Sequence, residues 1–173
     1  YQRTPLTDRS DGELFFRTAA HVICQQDGWH MWYVAGDRWI EREGKRLPSY
    51  SMKYLHSHDG VSWGPKGYPC FEPEGDEYGF GRPYVVYEDG LYKMYYSIRS
   101  HAKKYRLGYA ESADGKSWVR KDGQMGLDAD ADGPDSQMLC YSAVLTHQNR
   151  TYLFYNGNNH GGTGILYAES EIC

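Results

Sequence analysis

Cysteine is scarce and scattered in this chain. Cys24, Cys70, Cys140 and Cys173 are the four, and no two lie close enough in sequence to suggest a metal knuckle or a dense disulfide framework. Free thiols in a reducing compartment are the expectation, and with them a cytoplasmic location. No uninterrupted apolar run approaches the roughly 20 residues needed to cross a bilayer. Positive charge is not in excess, since 19 Lys and Arg stand against 23 Asp and Glu for a net charge of −4. That balance argues against nucleic acid and anionic membrane as partners, because both select a basic face. A Gly-x-Ser-x-Gly elbow, a phosphate-binding glycine loop and a His-Glu-x-x-His helix are all missing. The chain opens on Tyr1 and not on Met, so the lack of a leader says little about export.

Aromatic side chains are abundant: they make up 16% of the chain, with 17 Tyr and 5 Trp, which is enough to serve both packing and ligand stacking. They fall in a pattern. Between Gly79 and Asp122 the sequence reads as four short strands, RPYVVYE, LYKMYYSI, YRLGYAES and KSWVRK, divided by Asp89-Gly90, a polar loop and Asp114-Gly115. Asp and Gly tolerate the backbone angles of tight turns, so the implied unit is a four-stranded antiparallel meander. The unit recurs upstream in RTAAHVICQQDGWHMWYVAG with SYSMKYLHSHDGVSWGP, and downstream in CYSAVLTHQNRTYLFYNGN with TGILYAESE. Trp29, Tyr92 and Tyr152 share one place in the copies, at a period of about 60 residues, and Tyr54, Tyr109 and Tyr167 share another. Trp63 and Trp118 follow their Asp-Gly turns at matching places.

A repeated four-stranded sheet with an aromatic signature predicts an all-β fold, a β-propeller of four-stranded antiparallel blades with about three blades in this chain. The expected single domain, 1–173, comprises an orphan outer strand at 1–6 and blades at 13–70, 76–122 and 135–173. A charged insertion, Gly36 to Pro48, reads as a solvated hairpin loop. The acidic stretch from Gly123 to Asp135 reads as a flexible linker: Asp128, Asp130 and Asp132-Gly133 match the opening of a calcium loop, but its closing Glu falls at Leu139. His56 and His58 share a strand face without a third ligand nearby, so no metal or cofactor is expected.

In a propeller the first strand of each blade lies nearest the central axis, where ligands bind. Those strands start here at Glu13 to Thr18, Asp76 to Arg82 and Asp135 to Tyr141. Paired carboxylates on a polar channel are what glycosidic cleavage needs, which makes Asp76, Glu77 and Asp135 the catalytic candidates. Glu13, Arg17, Arg82, Gln137 and Tyr141 are the candidates for holding sugar, Arg by its planar fork and Tyr by its ring face.

FRTAAHVI, GFGRPYVVYEDGLYKMYYS, YRLGYAESADGKSW, PDSQMLCYSAVL and TYLFYNGN resemble the later part of five-bladed propeller proteins related to glycoside hydrolases. The resemblance is to the invertase-like and arabinanase-like superfamily, most closely to glycosidase-like proteins of bacterial polysaccharide gene clusters, and it spans nearly the whole chain. It implies acidic residues on the inner strands of several blades, and it implies that two earlier blades are lacking here. Where it implies DSEM, this chain has Asp135-Ser136-Gln137-Met138, and Gln137 cannot exchange a proton as a carboxyl group does. Two functions are therefore expected in competition: a glycoside hydrolase-like protein acting on carbohydrate, and a non-catalytic carbohydrate-binding or assembly module. About three blades fall short of the usual closed ring, which predicts self-association as a homodimer or larger assembly.

Overall fold

The computed structural model describes residues 6–7, 12–13, 15–42 and 44–171. Eleven strands run β1 Phe16–Gln25, β2 Gly28–Arg42, β3 Lys45–Ser57, β4 Tyr68–Phe71, β5 Glu77–Glu88, β6 Leu91–Ser100, β7 Arg106–Ser112, β8 Val119–Arg120, β9 Cys140–His147, β10 Arg150–Asn156 and β11 Ile165–Glu171. Among the described residues two short helical turns interrupt them, at Asp122–Gln124 and Asn158–Gly161. Within each group the strands pair antiparallel in chain order, β1 to β4, β5 to β8 and β9 to β11. One parallel bridge, Tyr50 to Gly79, joins the first two groups. The all-β antiparallel expectation holds. The expected strand at 1–6 lies, apart from exposed Leu6, outside the described residues.

The first two groups share a repeated sequence device. Ser57-His58-Asp59-Gly60-Val61-Ser62-Trp63 and Ser112-Ala113-Asp114-Gly115-Lys116-Ser117-Trp118 close the third strands of the first two groups in the same way. In the second copy Asp114 Oδ1 accepts the Lys116 and Ser117 amides at 2.8 and 2.7 Å and the Ser112 hydroxyl at 2.9 Å, while Trp118 Nε1 donates to Gly115 O at 2.9 Å. In the first, Asp59 Oδ1 accepts the Val61 and Ser62 amides at 2.8 and 2.7 Å, and Trp63 Nε1 donates to Gly60 O at 2.9 Å. Glycine is needed at the turn: Gly115 has φ +71°, and a Cβ there would meet Trp32 at 3.2 Å.

The groups stack through their aromatic faces. On β2 alternate side chains point to opposite sides, and both sides are buried: Trp32 and Val34 face the second group, whereas Met31, Tyr33 and Ala35 pack with Leu55 and Trp63. Trp32 reaches across to donate to Gly115 O at 2.8 Å. The main core joins Trp32, Met52 and Tyr54 to Phe80, Tyr92, Met94 and Tyr96, and a second core joins Leu107 to Leu139, Val144, Leu153 and Tyr155. The region expected to be a solvated loop, Gly36 to Pro48, is instead the extended tip of the β2–β3 hairpin, with pairing that runs on to Arg42 and Lys45. Trp39 explains it, because its ring is contacted by Phe15 at 4.8 Å and by the Arg46 guanidinium at 5.3 Å.

Candidate functional site

The inner strands of all three groups, β1, β5 and β9, break their pairing at the same place. Register shifts fall between Thr18 and His21, between Gly81 and Tyr84, and opposite Phe154 to Asn156 on β9. At each shift a residue other than glycine takes positive φ: Ala19 at 53°, Arg82 at 23° and Tyr141 at 59°. Bulges of this kind bend a strand and re-aim its side chains. Here all three aim at one space, a cavity of about 370 Å³ whose lining includes Thr18, Ala19, Gly81, Arg82 and Tyr141. Phe16, Tyr50, Phe80 and Tyr105 add ring surface to its wall. The Tyr141 amide is fixed by Ser97 Oγ at 2.9 Å, and the Tyr141 ring lies 5.8 Å from that of Tyr105.

Arg82 and Tyr141, both expected to hold sugar, are thus brought together. The other expected site residues go elsewhere. Phe16 and Thr18 face the cavity, so alternation turns Arg17 to the far side of β1. There it donates to Glu13 and, at 2.6 Å, to Pro65 O. Glu13 is fully buried and also accepts from Tyr33 at 2.9 Å and pairs with Lys53 at 3.1 Å. Burial pushes its carboxyl up, but the bonds from Lys53, Arg17 and Tyr33 outweigh that and hold it below the usual range. Asp76 caps the loop after β6, accepting the Ala102 amide at 2.7 Å. Glu77 receives both Nη atoms of Arg120, at 2.8 and 2.6 Å, which ties β8 to β5. Asp135 is buried and accepts the Tyr155 hydroxyl at 2.7 Å. Exposed Gln137 accepts from Lys104, and its backbone carbonyl takes Arg106 Nη1 at 2.8 Å. Among the described residues no carboxylate lines the cavity.

Among the other lining residues, Thr18, Tyr50 and Tyr105 offer polar or ring surface but are not site candidates from the sequence. Tyr50 and Tyr105 each stand four residues before the shared Tyr54 and Tyr109 of their copies, a repeat place that could have marked them. Metal-ligating chemistry collects elsewhere. Asp27, His30 and His56 place ligand atoms within 4.8 Å of one another, with His30 and not His58 completing the set. These atoms already bond among themselves: His30 Nε2 lies 2.9 Å from Asp27 Oδ1, and His30 Nδ1 lies 2.8 Å from the Tyr54 hydroxyl. Asp128 pairs with Arg106 at 2.8 Å and Asp130 O accepts the Gly133 amide, so the acidic stretch folds as a turn over the sheet.

Antiparallel strand groups whose inner strands converge on an aromatic, cationic cavity give this chain the fold of the propeller glycoside hydrolases. The chain is 34% identical over 149 residues to Rv1502, an uncharacterised protein of Mycobacterium tuberculosis, covering 84% of this chain and 48% of that protein. A solved structure described as a glycoside hydrolase matches with TM-score 0.74 and 22% identity, over 97% of this chain and 50% of its own. Zg3597, a family 117 glycoside hydrolase from Zobellia galactanivorans, matches with TM-score 0.73 and 14% identity, over 98% and 55%. No family model matches. The chain spans about half the length of the relatives it matches.

Proposed function

We propose that this chain binds carbohydrate in the cavity between its inner strands, as the sugar-holding part of a glycoside hydrolase-like site. The observation that carries the reading is the convergence of three bulged strands on one cavity that presents Arg82 beside Tyr50, Tyr105 and Tyr141. Ring faces stack on the apolar faces of sugars, and a guanidinium fork bonds paired oxygens. Hydrolysis needs two carboxyl groups about 5 to 10 Å apart across the scissile bond. The cavity's described lining supplies none, and Glu77 and Asp135 are each held by a partner across the sheet, which favours binding over cleavage for this chain. Cleavage is the second reading, supported by the glycoside hydrolases that share the fold; it keeps Asp76, Glu77 and Asp135 as candidate acids.

Arg82→Ala tests the site, because the side chain is exposed and packs in no core. Calorimetric titration against a panel of oligosaccharides should show an affinity at least about tenfold weaker in the variant, the effect of losing a charged hydrogen-bond donor. Unchanged affinity for a sugar that binds the parent chain removes Arg82 from the site.

A further inference from the structure

The carbohydrate cavity does not end at Tyr105. That ring is shared with a second cavity, of about 490 Å³, lined on its far side by Arg99, His101, Lys103, Lys104 and His160. Tyr141 of the first cavity stacks on His160 of the second at 6.0 Å, so the two adjoin across these rings. Arg99 stands between them. Its guanidinium carbon lies 4.2 Å from the Tyr50 ring centroid, 4.6 Å from that of Tyr78 and 5.7 Å from that of Tyr105. Three ring faces hold the charge in place, yet Arg99 Nε and Nη1 are buried without a hydrogen bond of ordinary geometry. Buried donors left without an acceptor cost stability, and a ligand that supplies the acceptor recovers it.

Charge makes the two cavities unlike the rest of the molecule. The chain carries a net −4, but among the described residues no Asp or Glu lines either cavity, while Arg82, Arg99, Lys103 and Lys104 do. The nearest acids belong to other networks: Asp76 lines a neighbouring cavity, which meets the second at Ser100, Ala102 and Lys103, and it caps the loop at Ala102, while Glu77 is paired with Arg120. A neutral sugar has no need of four cations. From this arrangement we infer that the ligand is an anionic saccharide, a chain bearing carboxylate or sulfate groups. One sugar sits against Arg82 and Tyr141, and the acidic group of the next reaches Arg99 and the lysine loop. The inference rests on the carbohydrate reading above and names the substrate class for it.

The test is calorimetry on the full chain with a galacturonic acid hexamer, a sulfated galactan hexamer and neutral maltohexaose. An acidic hexamer should bind at least about tenfold tighter than maltohexaose, and its affinity should fall as salt rises from about 20 to about 200 mM. The tighter of the two acidic hexamers identifies the anionic group that the guanidinium forks accept. Lys103→Ala/Lys104→Ala, on an exposed loop, should weaken the acidic hexamer by about tenfold and flatten its salt dependence. Equal affinity for all three hexamers, without salt dependence, overturns the charge inference while leaving carbohydrate binding in place. No binding of any hexamer overturns both.

Discussion

Asp114 and Glu13 are both acids held below their ordinary range, for different reasons. Asp114 is pulled down to about 2, first by the Ser117 amide, with burial opposing and the Lys116 amide and Ser112 hydroxyl adding to it. Its unfolded value is near 3.9, so its contribution is complete above about pH 4 and is lost as pH falls towards 2. Asp114→Ala should cost about 1 kcal/mol in urea unfolding at pH 7, as the loss of a side-chain cap does, and the difference should shrink at pH 2 to 3. A difference that is flat with pH would show that the turn does not depend on the charged carboxylate. Glu13 is buried among Lys53, Arg17 and Tyr33, and removing its charge takes the carboxylate away from both cations. Glu13→Gln should therefore destabilise the fold by about 3 kcal/mol, measured by the same unfolding midpoint. A loss below 1 kcal/mol would mean that solvent compensates the pair.

The strands and the turns between them were legible in the sequence because their signals are local. Asp-Gly followed two residues later by Ser-Trp forms the same turn clamp in both copies, and the uninterrupted apolar run Met31 to Ala35 belongs to a strand buried on both faces. The long β2–β3 hairpin was not legible: its charged tip reads as solvent, and it is the packing of Trp39 between Phe15 and Arg46 that extends the strands. Part of the site was legible and part was not. Arg82 and Tyr141 came from the rule that inner strands start near the axis. That rule gives a segment and not a residue, and the bulges decide which residue faces inward. Carboxylates earlier in each segment, at Glu13, Asp76, Glu77 and Asp135, meet donors from neighbouring strands before they reach the cavity. The bulge geometry carries its own test. At φ 53° a Cβ is strained, so Ala19→Gly should hold or raise stability by up to about 1 kcal/mol, whereas Ala to Gly in an ordinary strand costs about that much. A loss of the ordinary size would place Ala19 in regular strand geometry.

At the scale of the molecule, the two ends of the stack differ. The far face of the first group is covered around Met31, Tyr33, Leu55 and Trp63, whereas the third group exposes Leu145, Phe154, Ile165 and Tyr167 on one side of its sheet. Among the described residues β11 pairs with β10 alone, which makes it an edge strand of the described sheet. An apolar face next to an open edge favours association, and we propose a second copy of this chain as the partner, in a twofold assembly. Sedimentation velocity should show a dimer or larger species at micromolar concentration, and Phe154→Asp/Tyr167→Lys should disperse it. A monomer throughout that range would leave the face without this partner.

Carbohydrate binding between the inner strands is tested most directly by titrating the isotope-labelled chain with the galacturonic acid hexamer and mapping the amide shifts that move. A contiguous set should move at Thr18, Arg82, Tyr105 and Tyr141, extending through Arg99 to Lys103 and Lys104, where the two cavities adjoin at Tyr105. Shifts confined to the neighbouring acidic cavity at Glu77, Asp122, Gly123 and Asp128, or an unchanged spectrum at millimolar ligand, would contradict carbohydrate binding between the inner strands.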